Sequence, residues 1–222
     1  MEPRFTRGEY WLLETAVDKQ FPVSALMANN LEEYVNKKGH GLTRTALIET
    51  LHRLITWGLI SAKNKVDAPI STSEEIERAL DEPRWSIGSS VDRRTITRYE
   101  LTQEGGTQWE AFAAPDWQKY IDAGCHYSED YEYGMWELIC ADKVWLERYF
   151  ESMCFYDPHE VTLESVERDY IAPWQATYWK QLDGAHRIRF REPDESEQEN
   201  FEPSPNAFPD MSYFDRAWCA WR

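Results

Sequence analysis

The sequence predicts an α+β fold, and two periodicities together with a charge asymmetry support that prediction. Apolar side chains recur at helical spacing between Leu42 and Ala62, whereas residues 186–191 alternate between polar and apolar at the period of a strand. Lys and Arg number 24 against 40 Asp and Glu. Residues 1–110 have a net charge of −3 and residues 111–222 a net charge of −13, which indicates two parts of different character.

Two helices are expected before residue 37. Residues 6–9 form a capping-box pattern, in which Thr6 and Glu9 can satisfy each other's backbone N–H groups, and the helix behind them turns apolar residues 12, 13, 16 and 17 inward. After Pro22, a second helix is predicted from Ser24 to Asn36. Its apolar side consists of Met27, Leu31, Tyr34 and Val35.

The third predicted helix runs from Leu42 to Trp57 and follows a glycine-containing turn at residues 37–41. Thr43 is its expected N-cap, and Gly58 is its expected C-terminal stop. Its apolar stripe consists of Leu47, Ile48, Leu51, Leu54 and Ile55. Three helices with a short turn before the third is the order that a helix-turn-helix requires.

A strand is predicted to begin at Leu59, and the chain returns as a second strand at residues 95–101. The interruption, residues 63–92, contains a capped acidic helix at residues 71–80. The return ends in Tyr99-Glu100-Leu101-Thr102-Gln103-Glu104-Gly105. This segment resembles the Y-x-L-T-x-x-G end of the wing in winged-helix proteins of the MarR and PadR type.

The resemblance covers about residues 8–113 and implies an N-terminal winged helix-turn-helix domain at residues 1–114. It also implies that Thr102 caps a helix that runs to about Ala113. The insertion at about 63–92 is a departure, because it is far longer than a usual wing.

The second half is predicted to be a small acidic α+β module at residues 115–191. Its expected elements are a short helix ending at Gly124, a strand at 131–140, a helix at 142–153, an extended segment at 161–171 and a strand at 186–191. Residues 192–210 hold seven acids and four prolines, which predicts an acidic linker. The aromatic segment 211–222 is expected to pack back onto the fold, so 192–222 is treated as a third region.

A basic patch on the helix-turn-helix is the first candidate site, because residues 37–65 hold six cations against Glu49 alone. Such a patch could bind DNA phosphates while the third helix faces base edges in the major groove. The alternative is a solvated helix face used for protein contacts, and Glu49 favours it because a carboxylate repels phosphate. The candidate DNA-binding residues are Lys37, Lys38, Thr43, Arg44, Thr45, His52, Arg53, Arg93 and Arg94.

An acidic segment with exposed aromatic character is the second candidate site. Interface centres favour Tyr and Trp over charge alone, and acidic charge speeds the encounter with a basic partner. The candidate protein-binding residues are Glu129, Asp130, Tyr131, Glu132 and Tyr133.

Three arginines of the last strand, Arg187, Arg189 and Arg191, share one face and could hold an anion. The nearby carboxylates Glu164, Glu167 and Asp169 favour a cross-strand ladder of ion pairs instead. The eleven tryptophans are expected to fill the core rather than to stack on bases.

No enzyme, metal or cofactor is expected. The sequence contains no HExxH, EF-hand loop, GxSxG or phosphate-binding glycine loop, and Cys125-His126 has no second ligand pair near it. The four cysteines form no CxxC pair, which favours reduced thiols and a cytoplasmic location. No apolar run approaches the length of ~20 residues that spans a bilayer.

Two classes of function remain open. We favour a winged-helix regulator that binds double-stranded DNA, with the acidic half sensing a signal or joining copies into a homodimer, because the helix order and the basic patch coincide. The alternative is an acidic protein-binding immunity protein or antitoxin that neutralises a basic, nuclease-type toxin.

Overall fold

The chain combines helices with antiparallel sheets, as the α+β prediction requires. The structure is a computed structural model, and it describes residues 5–35, 37–64, 69–83, 92–126, 134–156, 161–192 and 211–219. The chain forms two compact units. The first comprises Met1–Phe112 with Thr177–Lys180, and the second comprises Ala113–Ala176 with Gln181–Arg222.

Helices α1 (Arg7–Thr15) and α3 (Arg44–Thr56) of the first unit form where the sequence predicts them. Thr6 and Glu9 make the predicted capping box, and Thr43 accepts a hydrogen bond from the Ala46 N–H at the start of α3. Leu47, Leu51 and Leu54 are fully buried, whereas Ile48 and Ile55 on the flank of the stripe are half-buried. Gly58 ends α3 with φ +68°, a conformation that glycine adopts without strain.

The predicted continuous helix from Ser24 to Asn36 is wrong. The chain forms a 3₁₀ turn at Val23–Met27, extends at Ala28 with ψ 138°, and resumes as the short helix α2 (Leu31–Val35). Residues 29 and 30 are both Asn, which favours turns over helix interiors. As a result Met27 and Tyr34 are 40% and 59% exposed, while Leu31 is buried.

A three-stranded antiparallel sheet completes the first unit. Its strands are β1 (Phe21–Pro22), β2 (Ile60–Lys63) and β3 (Arg98–Leu101), in the spatial order β1-β3-β2. Ala62 is directly opposite Tyr99 and Lys63 is directly opposite Arg98. Tyr99 and Leu101 are buried on one face, so Arg98 and Glu100 lie on the other, outer face. Helix α4 (Ser73–Leu80) belongs to the segment between β2 and β3.

Helix α5 (Gln103–Ala113) begins at the predicted cap. The Thr102 hydroxyl accepts from the Gly105 N–H at 3.0 Å and donates to the Gly58 carbonyl at 2.6 Å, so it ties the start of α5 to the end of α3. A Cβ at Gly105 would lie 1.8 Å from the Leu59 carbonyl oxygen. Glycine is therefore required for the close approach of these two segments.

Residues 177–180, distant in sequence, belong to the first unit and close its core. The Trp179 indole N–H donates to the Val17 carbonyl at 2.9 Å, and its ring meets that of Trp109 edge-on at 6.5 Å. The Tyr178 hydroxyl donates to the Ala16 carbonyl at 2.6 Å and accepts from the Leu101 N–H. Burial raises the pKa of Tyr178 well above its usual value, so this hydroxyl stays protonated.

The second unit is built on a four-stranded antiparallel sheet of β4 (Ile121–His126), β5 (Met135–Cys140), β6 (Glu167–Ile171) and β9 (Ala185–Arg191). A separate two-stranded pair consists of β7 (Trp174–Gln175) and β8 (Gln181–Leu182). The spatial order of the larger sheet is β4-β5-β9-β6. Helix α6 (Lys143–Tyr156) packs on β5 and β9, and helix α7 (Met211–Trp218) packs on α6.

The predicted short helix ending at Gly124 is wrong. Asp116 caps only a single 3₁₀ turn, Trp117–Lys119, and the chain then pairs as β4 with β5, with Ile121 opposite Cys140. Strand pairing overrides the local helix signal here. The segment 161–171 is likewise part 3₁₀ turn, at Leu163–Ser165, and part strand.

The tryptophans fill the interior of both units, as predicted for most of them. Seven are buried: Trp11, Trp109, Trp117, Trp145, Trp174, Trp179 and Trp218. Of the other two tryptophans among the described residues, Trp136 is half-buried and Trp57 is 52% exposed. No helix within the described ranges is both long and apolar enough to cross a membrane.

Candidate interaction surface

The exposed side of α3 is the centre of the candidate site. Because Leu47, Leu51 and Leu54 face the core, the opposite side of the helix is turned to solvent. At spacings of three and four residues this side presents Thr45, Glu49, His52 and Thr56, which we call the α3 outer stripe. The stripe holds one formal charge, the Glu49 carboxylate, and no Arg or Lys.

Arg44, predicted to contact DNA, is bound to the inserted helix α4. Its guanidinium donates to the Asp81 carboxylate at 2.7 Å and to the Glu77 carbonyl at 3.3 Å, and the Glu77 carboxylate lies 3.8 Å away. The side chain is 35% exposed. The segment inserted between β2 and β3 therefore supplies carboxylates to the N-terminal end of α3.

Arg53, on the other flank of α3, is bound to α1. Its Nε donates at 2.8 Å to the carboxylate of Glu9, whose side chain is only 4% exposed. Burial opposes the charge on Glu9, but hydrogen bonds from Thr6 and from Arg53 outweigh it and hold the pKa of Glu9 below its ordinary value. The capping box of α1 thus also anchors Arg53.

Other predicted DNA-contacting cations also have carboxylate partners. Lys37 lies 3.3 Å from the Glu14 carboxylate and 4.8 Å from the centre of the Trp11 ring. The Arg94 guanidinium donates two hydrogen bonds to Oδ2 of Asp92, and these bonds lower the pKa of that carboxyl. Lys38 is exposed, and its backbone carbonyl accepts from the Trp11 indole.

The remaining predicted residues divide between α3 and parts of the chain that the structure leaves out. Thr43 caps α3, Thr45 is exposed and His52 is half-buried, the last two on the α3 outer stripe. The side chain of Arg93 and all five candidate protein-binding residues lie outside the described residues. Those five are Glu129, Asp130, Tyr131, Glu132 and Tyr133.

Trp57 is a feature of this surface that sequence reasoning missed, since every tryptophan was assigned to the core. It follows the last residue of α3, and the Arg53 guanidinium lies over its ring at 5.6 Å. A signal was present in the sequence, because Trp57 immediately precedes the glycine stop and falls outside the apolar stripe. Trp and Arg are both among the residue types enriched at the energetic centres of protein interfaces.

Arg187 and Arg189 of β9 form the ion-pair ladder that the sequence predicts. Arg187 donates to Asp169 at 2.6 and 2.9 Å and to Glu137 at 3.0 Å, and Arg189 donates to Glu167 at 2.9 Å. Arg187 holds the pKa of Asp169 below its ordinary value. Their charges are therefore largely satisfied within the sheet.

Comparison with known proteins identifies no relative. No protein-family model matches the sequence, and neither a curated protein nor a solved structure is significantly similar to it. The functional argument therefore rests on the geometry of the chain itself.

Proposed function

We propose that the first unit is a winged-helix domain that binds protein. The order of its elements supports the winged-helix part: a helix, a short strand, two helices, and two further strands that pair as β1-β3-β2. The Thr102 cap and the Gly58 stop lie where the resemblance to MarR and PadR type proteins requires them. Helix α4 is an addition in the place of a simple wing.

The observation that carries the protein-binding part is the pairing of Arg44 and Arg53 with carboxylates. Asp81 holds the Arg44 guanidinium and Glu9 holds the Nε of Arg53, so both charges are already balanced by carboxylates and a phosphate gains less from either. Displacing Glu9 would leave a buried carboxylate without its charged partner. The free energy lost there is larger than the free energy that an exposed arginine–phosphate pair contributes. The α3 outer stripe, which would face the bases, offers DNA a carboxylate and no Arg or Lys.

The proposed partner is a basic protein. The chain has a net charge of −16, with −13 in residues 111–222, so it attracts cationic surfaces and repels nucleic acid at long range. Trp57 and the α3 outer stripe form the proposed contact, and the net charge speeds the encounter. A non-enzymatic immunity protein or antitoxin directed at a nuclease-type toxin fits this chemistry, because such toxins carry basic DNA- or RNA-binding surfaces.

The test is capture of partners from native cells by three tagged forms of the chain: the wild type, Trp57→Ala, and Tyr156→Ala. Tyr156 is 46% exposed in the second unit and serves as the matched control for loss of an exposed aromatic ring. The proposal expects a basic protein that is captured by the wild type and Tyr156→Ala but lost with Trp57→Ala. Capture that Trp57→Ala leaves unchanged, or a partner that is not basic, would contradict it.

A second candidate, a DNA-binding regulator, is favoured by the helix-turn-helix order and by the exposure of Lys38 and Thr45 beside α3. It requires phosphate to bind Arg44 and Arg53, whose charges carboxylates already balance. Its test is the salt dependence of duplex binding, in which each phosphate contact contributes a slope of about 0.9 in log affinity against log salt.

A further inference from the structure

The outer face of the sheet in the first unit brings two cations together in an unusual way. Lys63 of β2 and Arg98 of β3 are directly opposite each other in the antiparallel register, so their side chains leave the same face of the sheet. Like charges at directly opposite positions destabilise a sheet. Lys63 is paired with Glu100 at 2.8 Å, whereas Arg98 has no ion-pair partner among the described residues.

These two residues line a cleft of about 610 Å³, a size typical of small-molecule sites. Two further cations, Lys19 and Arg94, contribute to its lining, and Asp18 is the one carboxylate that lines it among the residues the structure describes. Arg94 is paired with Asp92, while Lys19 is exposed and unpaired within the described part of the chain. A chain with a net charge of −16 thus concentrates four cations around one concavity.

The cleft also has a rigid apolar wall. Ile96 is 4% exposed and Tyr178 is 36% exposed, so part of the tyrosine ring faces the cleft while its hydroxyl is fixed. That hydroxyl is held by the Ala16 carbonyl and the Leu101 N–H, so the ring does not have to be ordered when a ligand binds. An aromatic wall beside clustered cations suits a ligand that joins a flat organic part to an anion.

We propose that this cleft binds a small molecule that carries a phosphate group. A phosphate offers three strong acceptor oxygens, whereas a carboxylate has only two. It can accept from Arg98 and Lys19, and also from Lys63, whose ammonium has three N–H donors and stays paired with Glu100 through one of them. The unpaired guanidinium of Arg98 supplies the planar fork for bidentate recognition. The organic part of the ligand packs on Tyr178 and Ile96. The concave shape favours a small molecule over the convex backbone of a DNA duplex.

The experiment is isothermal titration calorimetry of the full chain with ADP and with inorganic pyrophosphate, with adenosine as the probe that lacks phosphate. Wild-type protein is expected to bind both phosphate compounds and to bind adenosine much more weakly. Arg98→Gln removes the unpaired charge and should weaken binding about tenfold or more, since a hydrogen bond to a charged group contributes roughly 1.5–3 kcal/mol. Lys63→Gln should also weaken binding of the phosphate compounds. If Arg98→Gln fails to fold, the binding measured for Lys63→Gln tests the proposal in its place.

Arg7→Gln is the matched control, because Arg7 is an exposed cation of the same unit that does not line the cleft. It should bind like the wild type. The proposal is overturned if neither ADP nor pyrophosphate binds at millimolar concentration, or if both cleft variants bind like Arg7→Gln. It is also overturned if a DNA duplex displaces ADP and loses affinity in Arg98→Gln, because the cleft would then belong to a nucleic-acid surface.

Discussion

Carboxylates that are distant in sequence pair with both arginines of α3. Glu9, Glu77 and Asp81 come from α1 and from the end of α4, yet all three meet arginines of α3. The sequence separation is 44 residues for Glu9 and Arg53, and 37 for Arg44 and Asp81. Counting charge along the sequence therefore overstates the basic character of the α3 surface.

Glu9→Gln tests the most buried of these pairs. The change keeps an oxygen for the capping box but removes the charge that Arg53 faces, so we expect a loss of about 1–2 kcal/mol in the free energy of unfolding at neutral pH. Urea titration followed by circular dichroism measures it. Glu49→Gln is the control, because Glu49 is exposed on the same helix that carries Arg53, and its effect should be close to zero.

The same pair predicts a pH dependence. The folded state lowers the pKa of Glu9, so its contribution is fully present above the unfolded-state pKa of about 4.3 and is lost as the pH falls through the folded-state value. The stability difference between wild type and Glu9→Gln should therefore shrink as the pH falls below about 4. A difference that stayed constant across this range would show that Glu9 does not act through its charge.

At the scale of elements, α3 is the core of the first unit, and Leu51 lies at the middle of its buried side with 2% exposure. Leu51→Ala should cost about 2–5 kcal/mol of unfolding free energy, because it removes buried methyl groups and leaves a cavity. Chemical denaturation measures the loss. Thr45→Ala, on the exposed side of the same helix, should change stability by less than about 0.5 kcal/mol.

The junction of α5 with the end of α3 gives a second prediction at this scale. Gly105→Ala would place a Cβ 1.8 Å from a backbone oxygen, which cannot move aside as a flexible side chain could. We expect this variant to be strongly destabilised or unfolded, as seen in its melting temperature. Gly124→Ala is the matched control, since the nearest atom, in the His126 ring, lies 3.7 Å away. Equal melting temperatures for the two variants would contradict the close approach.

Caps and stops, which are set by local signals, were predictable, whereas the segments at 24–36 and 121–126 were not. The caps at Thr6, Thr43 and Thr102 and the stop at Gly58 act over a few residues, and all are observed. The helix prediction for residues 121–124 was wrong because the conformation of 121–126 depends on pairing with a strand that begins at Met135. The candidate site shows the same limit. The cations could be identified by type, but their carboxylate partners and the register that sets Lys63 opposite Arg98 are products of the fold.

At the scale of the whole molecule, the charge distribution supports the proposed class of partner, a basic protein. The first half is nearly balanced and its arginines on α3 are paired, while the second half carries a net charge of −13. Salt screens such a field over roughly 8 Å at physiological ionic strength. Association with a basic partner should therefore slow steeply as salt is added, whereas dissociation should change much less.

The central claim, that the α3 surface serves protein binding and not DNA binding, is tested most directly by titrating a labelled random-sequence duplex with the full chain at low ionic strength. Fluorescence anisotropy is the measurement, and Arg44→Ala combined with Arg53→Ala is the comparison variant. The account predicts no saturable binding by the wild type and no difference between the two proteins. Saturable binding that weakens with salt at a slope of about 0.9 per phosphate contact, and that the double variant weakens and flattens, would contradict it.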